Sequence, residues 1–167
     1  ADRRRLAANS IAAKGHAAVL FLKTAIPRET CMENQTLEYI ISEIFDRDSS
    51  AVSKLILDSL KSGNPFTYGL FANIAAKNNI KKGLKPIINN LDNEDWKMRM
   101  FSASAAGFYR DSVLNLEIDK LLDDKNRIVR ACAVHSKFKQ ALPDSLAVLD
   151  SALTDSSYIV RRAAIKA

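Results

Sequence analysis

Three stretches of this sequence superimpose without a gap when shifted by 31 residues. They are Leu91–Ala103, Leu122–Val134 and Leu153–Ile165. Leucines fall at 91, 122 and 153, and arginines at 99, 130 and 161, both with the same step. One step earlier, Leu60–Ala72 keeps the leucine and the apolar positions, but Tyr68 stands where the arginine would be. Ile56, Ile87, Ile118 and Leu149 form another column of the same period. A fixed period of 20–50 residues is the mark of stacked supersecondary units, each too small to bury its apolar face alone.

Each unit reads as two helices. First helices are expected at 34–46, 65–78, 95–109, 126–140 and from 157 onward. Second helices are expected at 49–61, 80–91, 113–122 and 144–153, with Pro143-Asp144 marking one start. Asn64 before Pro65, Asp95 before Trp96, and Ser156-Ser157 before Tyr158 supply N-cap oxygens, and proline suits the first helical position. Ile128, Val129, Ile159 and Val160 are expected to face inward, and the small run 102–107 lets helices approach closely. Residues 2–23 are expected to form one long helix, or a pair broken near Gly15, that caps the stack.

The expected architecture is all-α: a right-handed α-α superhelix of antiparallel hairpins in one domain over 1–167. A capping region covers 1–33, repeat units cover 34–63, 64–94, 95–125 and 126–156, and a further repeat begins at 157–167. Five glycines and four prolines in 167 residues are too few for many short strands with tight turns. The sequence starts at Ala1 rather than Met and ends at Ala167 inside an expected helix, so it is expected to be a piece of a longer protein.

The pattern Asp-x-x-x-x-Val-Arg-x-x-Ala, closest in 122–134 and 153–165 and recognisable in 91–103 through Arg99, resembles HEAT repeats. The nearest likeness is to the short HEAT-like type of bilin lyases and scaffold proteins. The resemblance implies the superhelical fold. It also implies that the arginines pair with acids of the inter-helix turns. It specifies function weakly, because such repeats serve scaffolds, lyases, inhibitors and nucleic-acid enzymes. Tetratricopeptide repeats have a longer period and a different aromatic pattern.

Two readings compete for the arginine column Arg99, Arg130 and Arg161: a phosphate-gripping ladder, or pairing with the turn acids Asp92, Asp123, Asp124 and Asp155. The second is preferred, because a guanidinium fork on a carboxylate orders a turn. The binding candidates are Lys54, Lys77, Lys81, Lys82 and Lys85. Residues 49–91 hold six lysines and a single acid, Asp58. An anion-binding edge is one reading and a solvated edge the other.

The net charge of +6 permits a nucleic-acid partner. On the expected concave face, however, the columns Lys85/Leu116/Ala147, Ile88/Asp119/Asp150 and Asn89/Lys120/Ser151 do not repeat a cation, as phosphate binding requires. A protein partner is therefore favoured over a nucleic acid. The expected function is a non-catalytic interaction scaffold. The alternatives are a HEAT-like module resembling the glycosylases that excise alkylated bases, or a chaperone-lyase-like role.

No catalytic, cofactor or metal set is expected. His16 and His135 have no ligand-spaced neighbours, and no H-E-x-x-H, G-x-S-x-G or phosphate-binding glycine loop occurs. Cys31 and Cys132 are read as free thiols of a reducing, cytoplasmic setting. Trp96 at a helix start is a minor candidate for base stacking. No apolar run reaches the roughly 18 residues that span a bilayer.

Overall fold

A computed structural model describes residues 34–47, 49–140 and 145–167, together with Leu6, Ser10, Ala13, Lys14, Ala17 and Ala18. The expected helix over 2–23, Cys31 and the Pro143-Asp144 helix start lie largely or wholly outside the described residues. Every regular element among the described residues is helical. The chain divides into two units, 1–83 and 84–167.

In the first unit, α1 (Asn34–Arg47), α2 (Ser49–Ser59) and α3 (Pro65–Lys77) pack on one another, and a 3-10 turn (Lys81–Gly83) packs on α2 and α3. Asn64 caps α3 by accepting the N–H groups of Phe66 and Thr67 at 3.0 and 3.1 Å, with Pro65 at the first helical position. Ile41, Ile44, Val52, Ile56, Tyr68, Phe71 and Ile74 are fully buried. Tyr68 thus fills with an aromatic ring the column that carries arginine elsewhere.

The end of α3 is closed by a Schellman turn. Asn79 takes a left-handed φ of 51°, which asparagine tolerates better than most residues. Ile80 N–H then donates to Ala75 O at 2.8 Å, and Asn79 N–H to Ala76 O at 3.0 Å. This turn sets Lys77 on one side and Lys81 and Lys82 on the other.

The second unit holds α4 (Leu84–Asn90), α5 (Trp96–Ala106), α6 (Ser112–Leu121), α7 (Arg127–Gln140), α8 (Ser145–Leu153) and α9 (Tyr158–Lys166). First helices α5, α7 and α9 pack side by side, with α7 in the middle. Second helices α6 and α8 each pack between the two first helices that flank them in sequence, and α4 packs on α5. Ile87 and Ile118 of the 31-residue column are fully buried, and so is Val129. Ile128 and Ile159, expected inside, are only partly covered: neighbours on a helix point about 100° apart, and Val129 and Val160 take the inward positions.

The helix expected to reach 109 stops at Ala106. Gly107, a poor helix former, follows, and the chain turns so that Tyr109 is buried. A Cβ at Gly107 would stand 3.0 Å from both the Cα and the Oγ of Ser136 on α7. Ser136 cannot easily yield, because its buried hydroxyl donates to Ala103 O. Gly107→Ala is therefore expected to lower the unfolding free energy by about 1–3 kcal/mol in urea denaturation. An unchanged midpoint would show that α5 and α7 have slack at this crossing.

Candidate functional site

The arginines of the 31-residue column form a ladder of clamps between consecutive hairpins. Arg99 donates through Nε and Nη2 to the two oxygens of Asp124 at 2.7 and 3.1 Å. Its Nη1 donates back to the carbonyls of Asn93 and Glu94, in the turn before its own helix, at 2.7 and 3.0 Å. Arg130 repeats this with Asp155, at 2.8 and 2.9 Å, and with Asp124 O at 2.8 Å. Arg161 makes the backward contacts, to Asp155 O and Ser156 O at 2.7 and 3.0 Å. The Arg99 and Arg130 forks therefore tie their own turns to the next ones, which is how a planar donor set orders two loops at once.

The carboxylates taking the forks are Asp124 and Asp155. Asp92 and Asp123 lie one position earlier in the turn, are exposed, and act on Arg99 and Arg130 through charge alone. The inward position is selected locally. Asp124 accepts Asn126 N–H and Asp155 accepts Ser157 N–H, each at 2.7 Å, so the carboxylate folds its own turn while it holds the preceding arginine.

Burial of Asp124 works against ionisation. The Arg99 hydrogen bonds, the Asn126 N–H and the Arg99 charge outweigh it and hold the carboxyl below its ordinary value. For Asp155 the Arg130 hydrogen bonds dominate and lower it likewise, against desolvation. Arg99 and Arg130 are thus engaged with carboxylates inside the structure, whereas Arg161 holds only carbonyls of its own turn.

The lysines are distributed differently. Lys54 is exposed on α2, and Lys81 and Lys82 are exposed on the 3-10 turn that packs on α2. None of these three has a carboxylate partner among the described residues. Lys77, at the end of α3, is paired with Glu38 of α1. Lys85 is exposed on α4 and belongs to the second unit. The structure thus brings Lys54, Lys81 and Lys82 onto touching elements of one unit.

The exposed faces of the second helices carry a different chemistry. Val113 and Leu116 of α6 are 54% and 65% exposed, and Leu146 of α8 is 72% exposed. Asp119, Lys120, Asp150 and Ser151 lie about one turn further along the same two helices. Lys120 is paired with Glu117 at 2.7 Å, and Asp119 with the buried Lys137 of α7 at 2.5 Å. Asp150 has no cationic partner among the described residues.

The remaining candidates carry little chemistry. His135 is exposed. Burial pushes the Cys132 thiol up to about 11, which leaves little thiolate at neutral pH. Trp96 is partly buried. Among the described residues no three His, Cys, Asp or Glu side chains group to hold a metal, and no helix is long and apolar enough to cross a membrane.

No curated protein matches this chain. The family model for HEAT repeats matches residues 84–167, the unit that contains all three clamp arginines and just over half of the chain. With a 31-residue hairpin period and interlocking arginine-aspartate turns, the chain belongs to the HEAT-repeat family.

Proposed function

We propose that the chain is a non-catalytic protein-interaction module that takes an acidic segment of a protein partner on the lysine edge of the first unit. The observation that carries this reading is the set Lys54, Lys81 and Lys82 on touching elements, exposed and without a carboxylate partner among the described residues. Lys85, just along the chain, extends the basic stretch in sequence. The hydrogen-bonded turn at Asn79 favours recognition, because a pre-ordered surface loses less freedom on binding. A nucleic-acid partner is less well supported. Arg99 and Arg130 are committed to Asp124 and Asp155, and acids interrupt the second-helix columns where repeated cations would have to track a backbone.

The test is crosslinking and pull-down, followed by affinity measurement on the recovered partner with a Lys81→Glu, Lys82→Glu, Lys85→Glu variant. Binding is expected to weaken by about tenfold or more, mainly through slower association. Unchanged affinity would remove the lysine edge from the account. A low-salt gel shift with duplex DNA, lost steeply between about 50 and 200 mM salt, would favour the nucleic-acid alternative instead.

A further inference from the structure

We infer that the groove between the starts of α7 and α9 accepts a phosphate monoester, carried by a phosphorylated side chain of a protein partner. The source of the phosphate rests on the reading of the chain as a protein-interaction module. The residues belong to the second unit alone and share none with the lysine edge.

The groove has a volume of about 690 Å³, within the range of ordinary ligand sites. It lies between two turns, 125–128 and 156–158, whose helices α7 and α9 pack side by side. Three cations and no carboxylate line it. One of them, Arg130, is spent on Asp155. Lys125 and Arg127 are the free charges: both are exposed, and neither has a carboxylate partner among the described residues. Lys125 acts on Asp124 through charge alone, and that carboxylate is already held by two donors of the Arg99 fork. From the facing turn, Ser156 and Ser157 bring hydroxyls, and Tyr158, 63% exposed, brings a phenol. Cations on one wall and hydroxyl donors on the other are the groups that hold a phosphate dianion.

The 31-residue step shows that this charge is not a requirement of the turn. One step earlier, Glu94, Asp95 and Trp96 stand where Lys125, Asn126 and Arg127 stand, and both acids are exposed. Asp95 caps its helix as its successors do. It accepts Lys97 N–H at 2.9 Å, just as Asn126 accepts Ile128 N–H at 2.9 Å and Ser157 accepts Ile159 N–H at 3.3 Å. A carboxylate cap would therefore serve α7 and α9 equally, and it would repel an anion in the groove. Instead the two caps that flank the groove are an amide and a hydroxyl, which can still donate outward while their oxygens cap. The same contrast chooses between bearers of phosphate. A nucleic-acid backbone needs cations repeated from step to step, and the preceding turn offers Glu94 and Asp95 instead. A single doubly charged phosphate needs only the local pair.

The experiment titrates the full chain into a fluorescein-labelled glycine-serine peptide carrying one phosphoserine, read by anisotropy, with the unphosphorylated peptide as reference. The phosphopeptide is expected to bind, and the reference to bind about tenfold more weakly or worse. Lys125→Glu with Arg127→Glu is expected to weaken phosphopeptide binding by about tenfold or more. Lys81→Glu with Lys82→Glu makes the same change in net charge elsewhere and should leave it nearly unchanged. Asn126→Asp with Ser157→Asp retains both caps, as Asp95 does, and is expected to weaken binding severalfold. Circular dichroism confirms the fold of each variant. No binding of the phosphopeptide, or unchanged affinity in the double-aspartate variant, would overturn the proposal. Equal loss in the two charge-reversed variants would also overturn it, by assigning the contact to net charge alone. Tighter binding of a single-stranded oligonucleotide, lost with Lys125→Glu and Arg127→Glu, would overturn it in favour of a nucleic acid. Failure of the lysine edge in the preceding test leaves these outcomes untouched, so the two proposals fail separately.

Discussion

Asp124→Ala is expected to lower the unfolding free energy of the 84–167 unit by about 3–5 kcal/mol, the scale for stripping one partner from a buried ion pair. Arg99 and Asp124 side chains are each only 7% exposed. Removing the carboxylate leaves a desolvated guanidinium facing a gap and frees the N–H of Asn126, so the turn and the clamp fail together. Asp155→Ala should cost less, because its pair with Arg130 is 13–16% exposed and water can enter. Arg99→Lys should not rescue, since an ammonium cannot serve two carboxylate oxygens and two carbonyls in one plane. Urea denaturation checks all three. A loss at Asp124 below about 1 kcal/mol would reduce the clamp to an ordinary surface pair.

The same clamps fix the acid limb of stability. Asp124 and Asp155 both have folded-state values held below the ordinary carboxylate value. A lowered folded value means that the stabilisation is fully present above the unfolded value, near 3.9, and is lost as pH falls through the folded one. The wild-type chain should therefore lose stability progressively below about pH 4. A variant with Asp124→Asn and Asp155→Asn should be weaker at neutral pH and show a shallower acid slope. A parallel slope in the two proteins would assign acid denaturation to other carboxylates.

The period of 31 made the hairpins, the caps at Asn64, Asp95 and Ser157, and the arginine column legible without coordinates. These features are local or strictly periodic, so one chain reports them. The identity of the clamp carboxylate was harder to read, because Asp123 and Asp124 are adjacent and only the turn geometry decides which points inward. A signal was present: Arg99 and Asp124 are separated by the same 25 residues as Arg130 and Asp155. Counting 25 from Tyr68 gives Asn93, so the arginine and its carboxylate are lost from the register together. Asp111 and Asn126 also cap their helices, accepting the N–H groups of Leu114 and Ile128, and neither was singled out from the sequence. The exposure of Leu116 and Leu146 could not be read either, because it depends on which face of α6 and α8 meets α7, not on composition.

Lys137→Ala is expected to lower the unfolding free energy by about 3 kcal/mol, whereas Lys137→Met should stay within about 1 kcal/mol of wild type. The contrast follows from where the two ends of the ion pair lie. Lys137 is 1% exposed, so its aliphatic stem is core material between α7 and its neighbours, and alanine leaves a cavity there. Asp119 is 41% exposed and can recover water when the ammonium is gone, so deleting the charge does not strand this carboxylate. Methionine keeps the stem volume and removes the desolvated amine, which itself opposes folding. A large stability loss in the methionine variant would show that the ammonium, rather than its stem, holds α7 to α6.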